Sequence, residues 1–224
     1  MVDHGGTVAR SGVELLAEHL LVETGPVDHA AWNYRPILGW LQRQRFRLVL
    51  ELIGSQHFGH LLEIGYGSGL FAPELARRCD RYSGIDIHEK NRDVEQALRS
   101  VGIAADLSAG SASTMALADN SIDCMVAVSV FEFIDDLDSA CEAMVRVLRP
   151  NGRAFITATG DSPVLDLGLK LMTGESADDD FADRRTRVET AIREHFVIDG
   201  IVGFPRFSVL GVQVYRAFGL RVRP

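Results

Sequence analysis

LLEIGYGSG, Leu61 to Gly69, runs from apolar residues into three alternating glycines. Its first half has the make-up of a buried strand, and Leu70 to Arg78 beyond it has good helix formers at helical apolar spacing. Strand, glycine turn and helix in that order make a nucleotide-cofactor turn. The glycines let the backbone bend sharply and approach a ligand, and the helix presents its unpaired amides there. A dinucleotide fingerprint would place its third glycine five residues after the first, where this chain has Leu70. Here the glycines are Gly65, Gly67 and Gly69, and an acid, Glu63, stands two residues before the first.

Working outward, Tyr82 to Asp86 reads as a second strand that ends in an acid 21 residues past Gly65. A carboxylate there can accept both ribose hydroxyls of an adenosine. Asn91 to Ser100 is expected to be a helix, Ile103 to Leu107 a third strand and Ile122 to Val128 a central one. Asp123 is expected to fix the start of that strand and Ser129 to end it, at the carboxyl edge where ligands of open α/β sheets gather. Leu137 to Leu148 reads as an amphipathic helix, followed by the turn Leu148-Arg149-Pro150-Asn151-Gly152-Arg153.

These stretches, in this order, resemble the class I S-adenosylmethionine-dependent methyltransferase family, closely over Leu61 to Thr159 and loosely at the flanks. The resemblance implies a Rossmann-like three-layer α/β sandwich, with a mostly parallel seven-stranded sheet, an antiparallel last strand and an N-terminal helical cap. It implies S-adenosylmethionine as cofactor, with Glu63 facing its ammonium group, the turn residues Gly65, Tyr66, Gly67 and Gly69 holding its methionine end, and Ser129 nearby. Asp86 would take the ribose, and Ile87, Ser111 and Ala112 the adenine. Many relatives carry Gly-Asp-Ala where this chain has Gly110-Ser111-Ala112. Ser111 departs from that pattern, and its hydroxyl makes fewer contacts than a carboxylate.

The implied reaction is methyl transfer to a small molecule, with oxygen or carboxyl acceptors favoured. Val130-Phe131-Glu132-Phe133 is neither the DPPY nor the NPPY of planar-amine methylation, and the Pro-Cys pair of cytosine methylation is absent. Many small-molecule relatives read FEH here, and Phe133 stands at the histidine's place. Trp32 to Pro36 and Gln42 to Arg47 resemble small bacterial methyltransferases of polysaccharide or secondary-metabolite synthesis, so the acceptor class includes a sugar or glycan precursor. Two other readings stay open: a non-catalytic cofactor-binding regulator, and an NAD-dependent oxidoreductase, which Leu70 disfavours.

Three side chains are candidates for catalysis. Tyr34 either closes over the cofactor or packs in a loop. His88 is a potential acid or base, with a surface role expected. Glu132 either replaces the missing base or points to solvent, and solvent is expected. The arginines Arg35, Arg43, Arg45 and Arg47 either recognise an anionic substrate or form a solvated helix face, the latter being expected.

At 224 residues and 46% apolar composition the chain suits one domain, with residues 1–57 as a cap belonging to it and 58–224 as the cofactor-binding part. The formal charge of −8 argues against general nucleic-acid affinity. The three cysteines lack metal or CxxC spacing and are expected to be reduced core thiols. With no membrane span or signal peptide read in it, the chain is expected to be cytoplasmic; its oligomeric state is open, a homodimer included.

The first ten residues are expected to be loosely held, with Ser11 capping a helix over about 12–22 and a second helix over 36–53. Residues 160–183 are a candidate lid that holds a short helix at 164–172 and the acid run Asp178 to Asp180. A last helix over 183–195 and a hairpin of strands at 196–201 and 212–217 complete the expectation.

Overall fold

The computed structural model describes residues 6–10, 12–25, 28–160, 180–206 and 213–223. Two strands open it, β1 (Thr7–Arg10) and β2 (Val13–Leu16), followed by helices α1 (Pro36–Gln42) and α2 (Gln44–Ile53). Then come β3 (Phe58–Ile64), α3 (Ala72–Ala76), β4 (Cys79–Asp86), α4 (Asn91–Ser100), β5 (Ala105–Ala109), β6 (Ile122–Val128), α5 (Leu137–Val147) and β7 (Leu148–Thr159). The chain closes with α6 (Asp180–His195), β8 (Phe196–Phe204) and β9 (Tyr215–Val222).

The seven strands of the main sheet lie in the order β5-β4-β3-β6-β7-β9-β8. β3 to β7 run parallel to one another, and β9 is antiparallel to both neighbours. The order reverses at β3, which lies between β4 and β6. Ligands of such sheets bind outside the carboxyl ends of the strands at that reversal, and the glycine turn leaves β3 there.

Alternate strand residues serve the two faces, as the pleat requires. Leu62, Ile64, Met125 and Ile156 bury with Cys141, Met144 and Val147 of α5 and Val188 and Ile192 of α6. On the other face Leu61, Tyr82, Val126 and Phe155 bury with Val49 and Ile53 of α2, Leu75 of α3 and Val94 and Leu98 of α4. Three layers result. Asp123 fixes the start of β6 as expected, accepting the His60 N–H at 2.7 Å and pairing with Arg149 at 2.7 Å. The cysteines are free and buried.

The amino-terminal segment differs from its expected helix. Gly12, at φ +77°, lies in the turn of a hairpin that pairs Thr7 with Leu16 and Arg10 with Val13, and only Glu18–Leu20 forms a short 3-10 turn. Tertiary partners set this choice. The Leu16 N–H donates to the Leu70 carbonyl at 3.1 Å and the Glu14 N–H to the Glu74 carboxylate at 2.6 Å, so β2 is held as an extended strand against the turn that follows Gly69. Residues 7–10 are therefore paired rather than loose, while residues 1–5 and Ser11 lie outside the described residues.

The helix expected over 36–53 is two, divided at Arg43, across which Arg43 and Arg47 still donate to the carbonyls of Gly39 and Arg43. The third strand lies at Ala105–Ala109 rather than 103–107, the last helix starts at Asp180, and the closing strands are longer than read. The segment over 161–179, which holds most of the candidate lid, the 164–172 helix and two of the three run acids, is outside the described residues.

Candidate functional site

The turn after β3 keeps all three glycines in the left-handed region, with φ of +72° at Gly65, +52° at Gly67 and +73° at Gly69. Each is glycine for its own reason. A side chain at Gly65 would strike Val130, with its Cβ 2.2 Å from a Val130 methyl, and one at Gly69 would press on Val94 at 2.9 Å. At Gly67 a Cβ would meet nothing within 4 Å, so the backbone there faces open space. The helix behind the turn has only five residues, fewer than expected, so its dipole is short. Successive left-handed glycines themselves make the concavity.

Asp86 ends β4 beside this turn, and its carboxylate accepts the Gly67 N–H at 2.8 Å and the His88 N–H at 3.4 Å. His88 completes the clamp. Its Nδ1 accepts the Lys90 N–H at 3.0 Å, which leaves Nε2 as the donor to the Gly67 carbonyl, also at 3.0 Å. Both ring nitrogens are used and the ring stands edge-on to Tyr66, with centroids 4.9 Å apart. His88 is thus neither a surface group nor a free base. It fixes the shape of the turn.

Tyr66 is buried, and its ring fills the space a side chain at Gly84 would need. Its hydroxyl is enclosed without a partner, and burial pushes its pKa up. Only its backbone remains at the open side of the turn. Glu63 is 4% exposed and lies on the α2 face of the sheet, where the Tyr82 hydroxyl donates to it. Burial pushes the Glu63 carboxyl up to about 8, against the pull of the Tyr82 bond.

Ile87, next to Asp86, is 83% exposed, an unusual state for a large apolar side chain at a strand end. Across β5, the Ser111 hydroxyl accepts the Ser113 N–H at 3.2 Å and caps a short 3-10 turn, while Ala112 is buried in the core. Ser129, just past β6 at φ +54°, donates its N–H to the Thr157 carbonyl at 3.0 Å; its hydroxyl is enclosed without a partner. Asp86, Ile87, Ser129 and the glycine turn all lie at the carboxyl ends of adjacent strands.

Tyr34 takes the packed one of its two alternatives, whereas Glu132 stands differently from expectation. The Tyr34 hydroxyl donates to the Leu16 carbonyl, and burial pushes its pKa well up, so it is committed to holding β2. Glu132 does not point to solvent. It is 5% exposed because the 3-10 turn Phe131–Phe133 folds it back over β7, where it accepts the Thr159 N–H at 2.6 Å. Phe133, in the place of the relatives' histidine, is the side chain that faces outward.

The arginines divide as well. Arg43 is buried and donates to the Asn33 carbonyl, Arg47 is exposed, and Arg35 lies over the Trp32 ring at 5.8 Å. Arg45 is half-buried, over the Phe46 ring at 4.9 Å. A cavity of about 240 Å³ opens between α6, the end of β7 and the start of β9, lined by Thr159, Glu189, Arg193 and Arg216. Its Glu189 carboxylate is already shared by both arginines, which hold its pKa down against burial. No sequence pattern pointed to Thr159 or Tyr215; they are brought together because the end of β7 pairs with the start of antiparallel β9.

Residues 62–156 match the family model described as "Methyltransferase domain". The chain is 31% identical over 153 residues to a malonyl-[acyl-carrier protein] O-methyltransferase of Methylococcus capsulatus, spanning 63% of this chain and 54% of that protein. To the biotin biosynthesis bifunctional protein BioHC of Cellvibrio japonicus it is 30% identical over 139 residues, 62% of this chain and 27% of that protein. The chain thus spans about half or less of the length of these curated relatives. The crystal structure of the N-methyltransferase NodS from Bradyrhizobium japonicum WM9, in complex with S-adenosyl-L-homocysteine, superposes with a TM-score of 0.62 at 20% identity. It covers 90% of this chain and 95% of that one. At that identity the likeness is one of fold.

Proposed function

Because this chain belongs to the class I S-adenosylmethionine-dependent methyltransferases, we propose that it transfers a methyl group to a small-molecule acceptor, at a hydroxyl or carboxyl oxygen. One observation carries the reading: a left-handed glycine turn open at Gly67, clamped by Asp86, with Ile87 bare beside it. That arrangement fits the cofactor of the family. An adenosine laid across the ends of β3 and β4 would find a carboxylate for its ribose and an apolar surface for its base. When bound, S-adenosylmethionine supplies a methyl group on a positively charged sulfur, already reactive toward an oxygen nucleophile.

The residues of the chain then have distinct tasks. Gly65 to Gly69 admit the methionine end, and the Asp86 carboxylate keeps lone pairs beyond those given to Gly67 and His88 for ribose hydroxyls. Ile87, Ser111 and Ala112 border the adenine. Glu63, enclosed behind the turn, would face the ammonium group, whose positive charge would draw the proton off its raised carboxyl. Holding donor and acceptor in line and excluding water supplies much of the acceleration in such a reaction. The described residues of 1–57 act as a cap in the same domain. Support for an oxygen acceptor comes from the curated relatives named above, one an O-methyltransferase; a sugar, glycan precursor or secondary metabolite fits the reading.

The test is calorimetric titration of the chain with S-adenosylmethionine, S-adenosylhomocysteine and NADH, wild type beside Asp86→Ala. Micromolar binding of the two sulfur ligands, lost in the variant, is the expected result. Failure of both to bind folded protein would overturn the reading, and NADH binding in their place would make the chain an oxidoreductase.

A further inference from the structure

Several enclosed polar groups without partners lie at the carboxyl ends of β6 and β7, on the side of the glycine turn away from Asp86. Glu132 is 5% exposed; its first carboxylate oxygen accepts the Thr159 N–H, and the second is enclosed without a partner. The hydroxyls of Ser129 and Thr159, at the ends of β6 and β7, are also enclosed and unpartnered. Arg45, in the first turn of α2, has its Nε enclosed, and among the described residues it makes no hydrogen bond and no ion pair.

Arg45 is half-buried over the Phe46 ring with its Nε enclosed, and a partly desolvated guanidinium gains from an anion that meets its fork. Burial lowers the Arg45 pKa, and the nearby Tyr215, Glu132 and Asp28 oppose that lowering without pairing with it. Asp28 is already occupied by the Thr24 hydroxyl at 2.7 Å and the Ala30 N–H at 3.0 Å. Leu48, one turn further along α2, buries with Tyr215 and Ala217 of β9, and Tyr215 pairs with Thr159, whose N–H Glu132 accepts; Arg45, Tyr215 and Glu132 thus share one region, with no ion pair between Arg45 and Glu132 among the described residues. Tyr215, the buried first residue of β9, stands within range of both.

We propose that Arg45, Glu132 and Tyr215 form the acceptor subsite, and that the acceptor is a hydroxylated acid: its carboxylate or phosphate held by Arg45, its hydroxyl by the free oxygen of Glu132. The arginine fork matches either anion, whereas an enclosed carboxylate oxygen accepts only from a donor such as a hydroxyl. A neutral acceptor leaves Arg45 unpaired, and an acid without a hydroxyl leaves the Glu132 oxygen unpaired. Rejection of both kinds follows from the cost of an unmade buried contact. This assignment rests on the methyltransferase reading.

The experiment titrates the full chain, with and without saturating S-adenosylhomocysteine, with matched pairs: 3-hydroxybenzoate against 3-hydroxybenzamide for a carboxylate, glucose 6-phosphate against glucose for a phosphate. In the loaded protein one acid should bind at least tenfold more tightly than its neutral partner, and which pair does so identifies the anion. Arg45→Gln should erase that preference, Arg45→Lys should keep part of it, and Glu132→Gln should weaken both members of the pair alike. Binding of S-adenosylhomocysteine should be unchanged in all three. The proposal is overturned if the loaded protein binds neither acid, binds acid and neutral partner equally, or keeps its preference in folded Arg45→Gln. Should that variant not fold, the wild-type pairs and Arg45→Lys decide. If neither sulfur ligand binds, the methyltransferase reading itself fails. Arg45-dependent acid binding by the chain alone would then mark an anion site and overturn its assignment to an acceptor.

Discussion

Gly65→Ala adds one methyl group at a site where both the backbone and a neighbour oppose it. The new Cβ would lie 2.2 Å from one Val130 methyl and 3.0 Å from the other, whereas carbon atoms settle at about 3.5 to 4.0 Å. Forcing such a group into a packed site costs about 1–3 kcal/mol. The φ of +72° adds about 1–2 kcal/mol for any residue with a Cβ, giving about 2–5 kcal/mol together. Val130→Ala removes both offending methyl groups and leaves only its Cβ, 3.2 Å from the new atom. A double-mutant cycle should therefore return a favourable coupling of about 1–3 kcal/mol and leave the backbone strain behind. Gly102→Ala is the control, since φ there is +80° and nothing lies within 4 Å; it should cost only the strain of about 1–2 kcal/mol. Urea denaturation with a common m-value reads all four variants against wild type. Additivity of Gly65→Ala and Val130→Ala, within about 0.5 kcal/mol, would refute the packing argument.

Three further outcomes are expected. Gly67→Ala meets no neighbour and should cost only about 1–2 kcal/mol of stability, yet its methyl group stands on the open side of the turn. Calorimetry should show at least a tenfold loss of S-adenosylhomocysteine affinity, and unchanged affinity would remove Gly67 from the cofactor's path. Glu63 is raised from the ordinary carboxylate range to about 8, so the folded chain holds a proton that the unfolded chain has lost. Stability should fall as pH rises from about 4.3 toward 8, by at most about 1.4 kcal/mol per unit, and level off above. Glu63→Gln should flatten this part of the profile, and urea midpoints at pH 5 and pH 8 that differ equally in both proteins would rule Glu63 out as its source. Asp123→Ala strands the His60 N–H and frees Arg149, which should cost about 1–3 kcal/mol in thermal or urea unfolding. It lies at the far end of β6 from the glycine turn, so a shift in cofactor affinity would show that strand placement reaches further than contact does.

Much of the sheet could be read from the chain because its signals are local. Asn91 to Ser100 and Ile122 to Val128 lie where their periodicity puts them, and Asp86 closes β4 beside the turn as its spacing from Gly65 implied. The amino-terminal hairpin could not be read that way. Val13 to Leu20 contains good helix formers, and what keeps Val13–Leu16 extended is a glycine turn at one end and bonds to Leu70 and Glu74, more than fifty residues along the chain. The roles of Tyr34 and His88 were hidden for a related reason. Each looks like a reactive side chain until its partner is known, and both partners are backbone carbonyls, of Leu16 and Gly67. Glu132 errs in the opposite direction, since its burial depends on a bond to Thr159, 27 residues away.

The two ends of the site differ in how they are built, and the difference explains what each reveals. The cofactor end is made of two short runs, Gly65 to Gly69 and Asp86 to His88, in which the Asp86 and His88 side chains bond to the backbone of the same two runs. Such a unit carries its geometry wherever it occurs, so the cofactor can be named from a short stretch of sequence. The other end draws Arg45 from α2, Glu132 from the turn after β6, Thr159 from β7 and Tyr215 from β9. None of these is a sequence neighbour of another, and Arg45, Glu132 and Thr159 each keep an enclosed polar atom without an internal partner. Buried groups without internal partners are where selectivity between ligands arises, because the wrong ligand leaves them unpaired. A change at Arg45 or Glu132 should therefore move acceptor choice while cofactor affinity stays fixed, and a change at Gly67 should do the reverse.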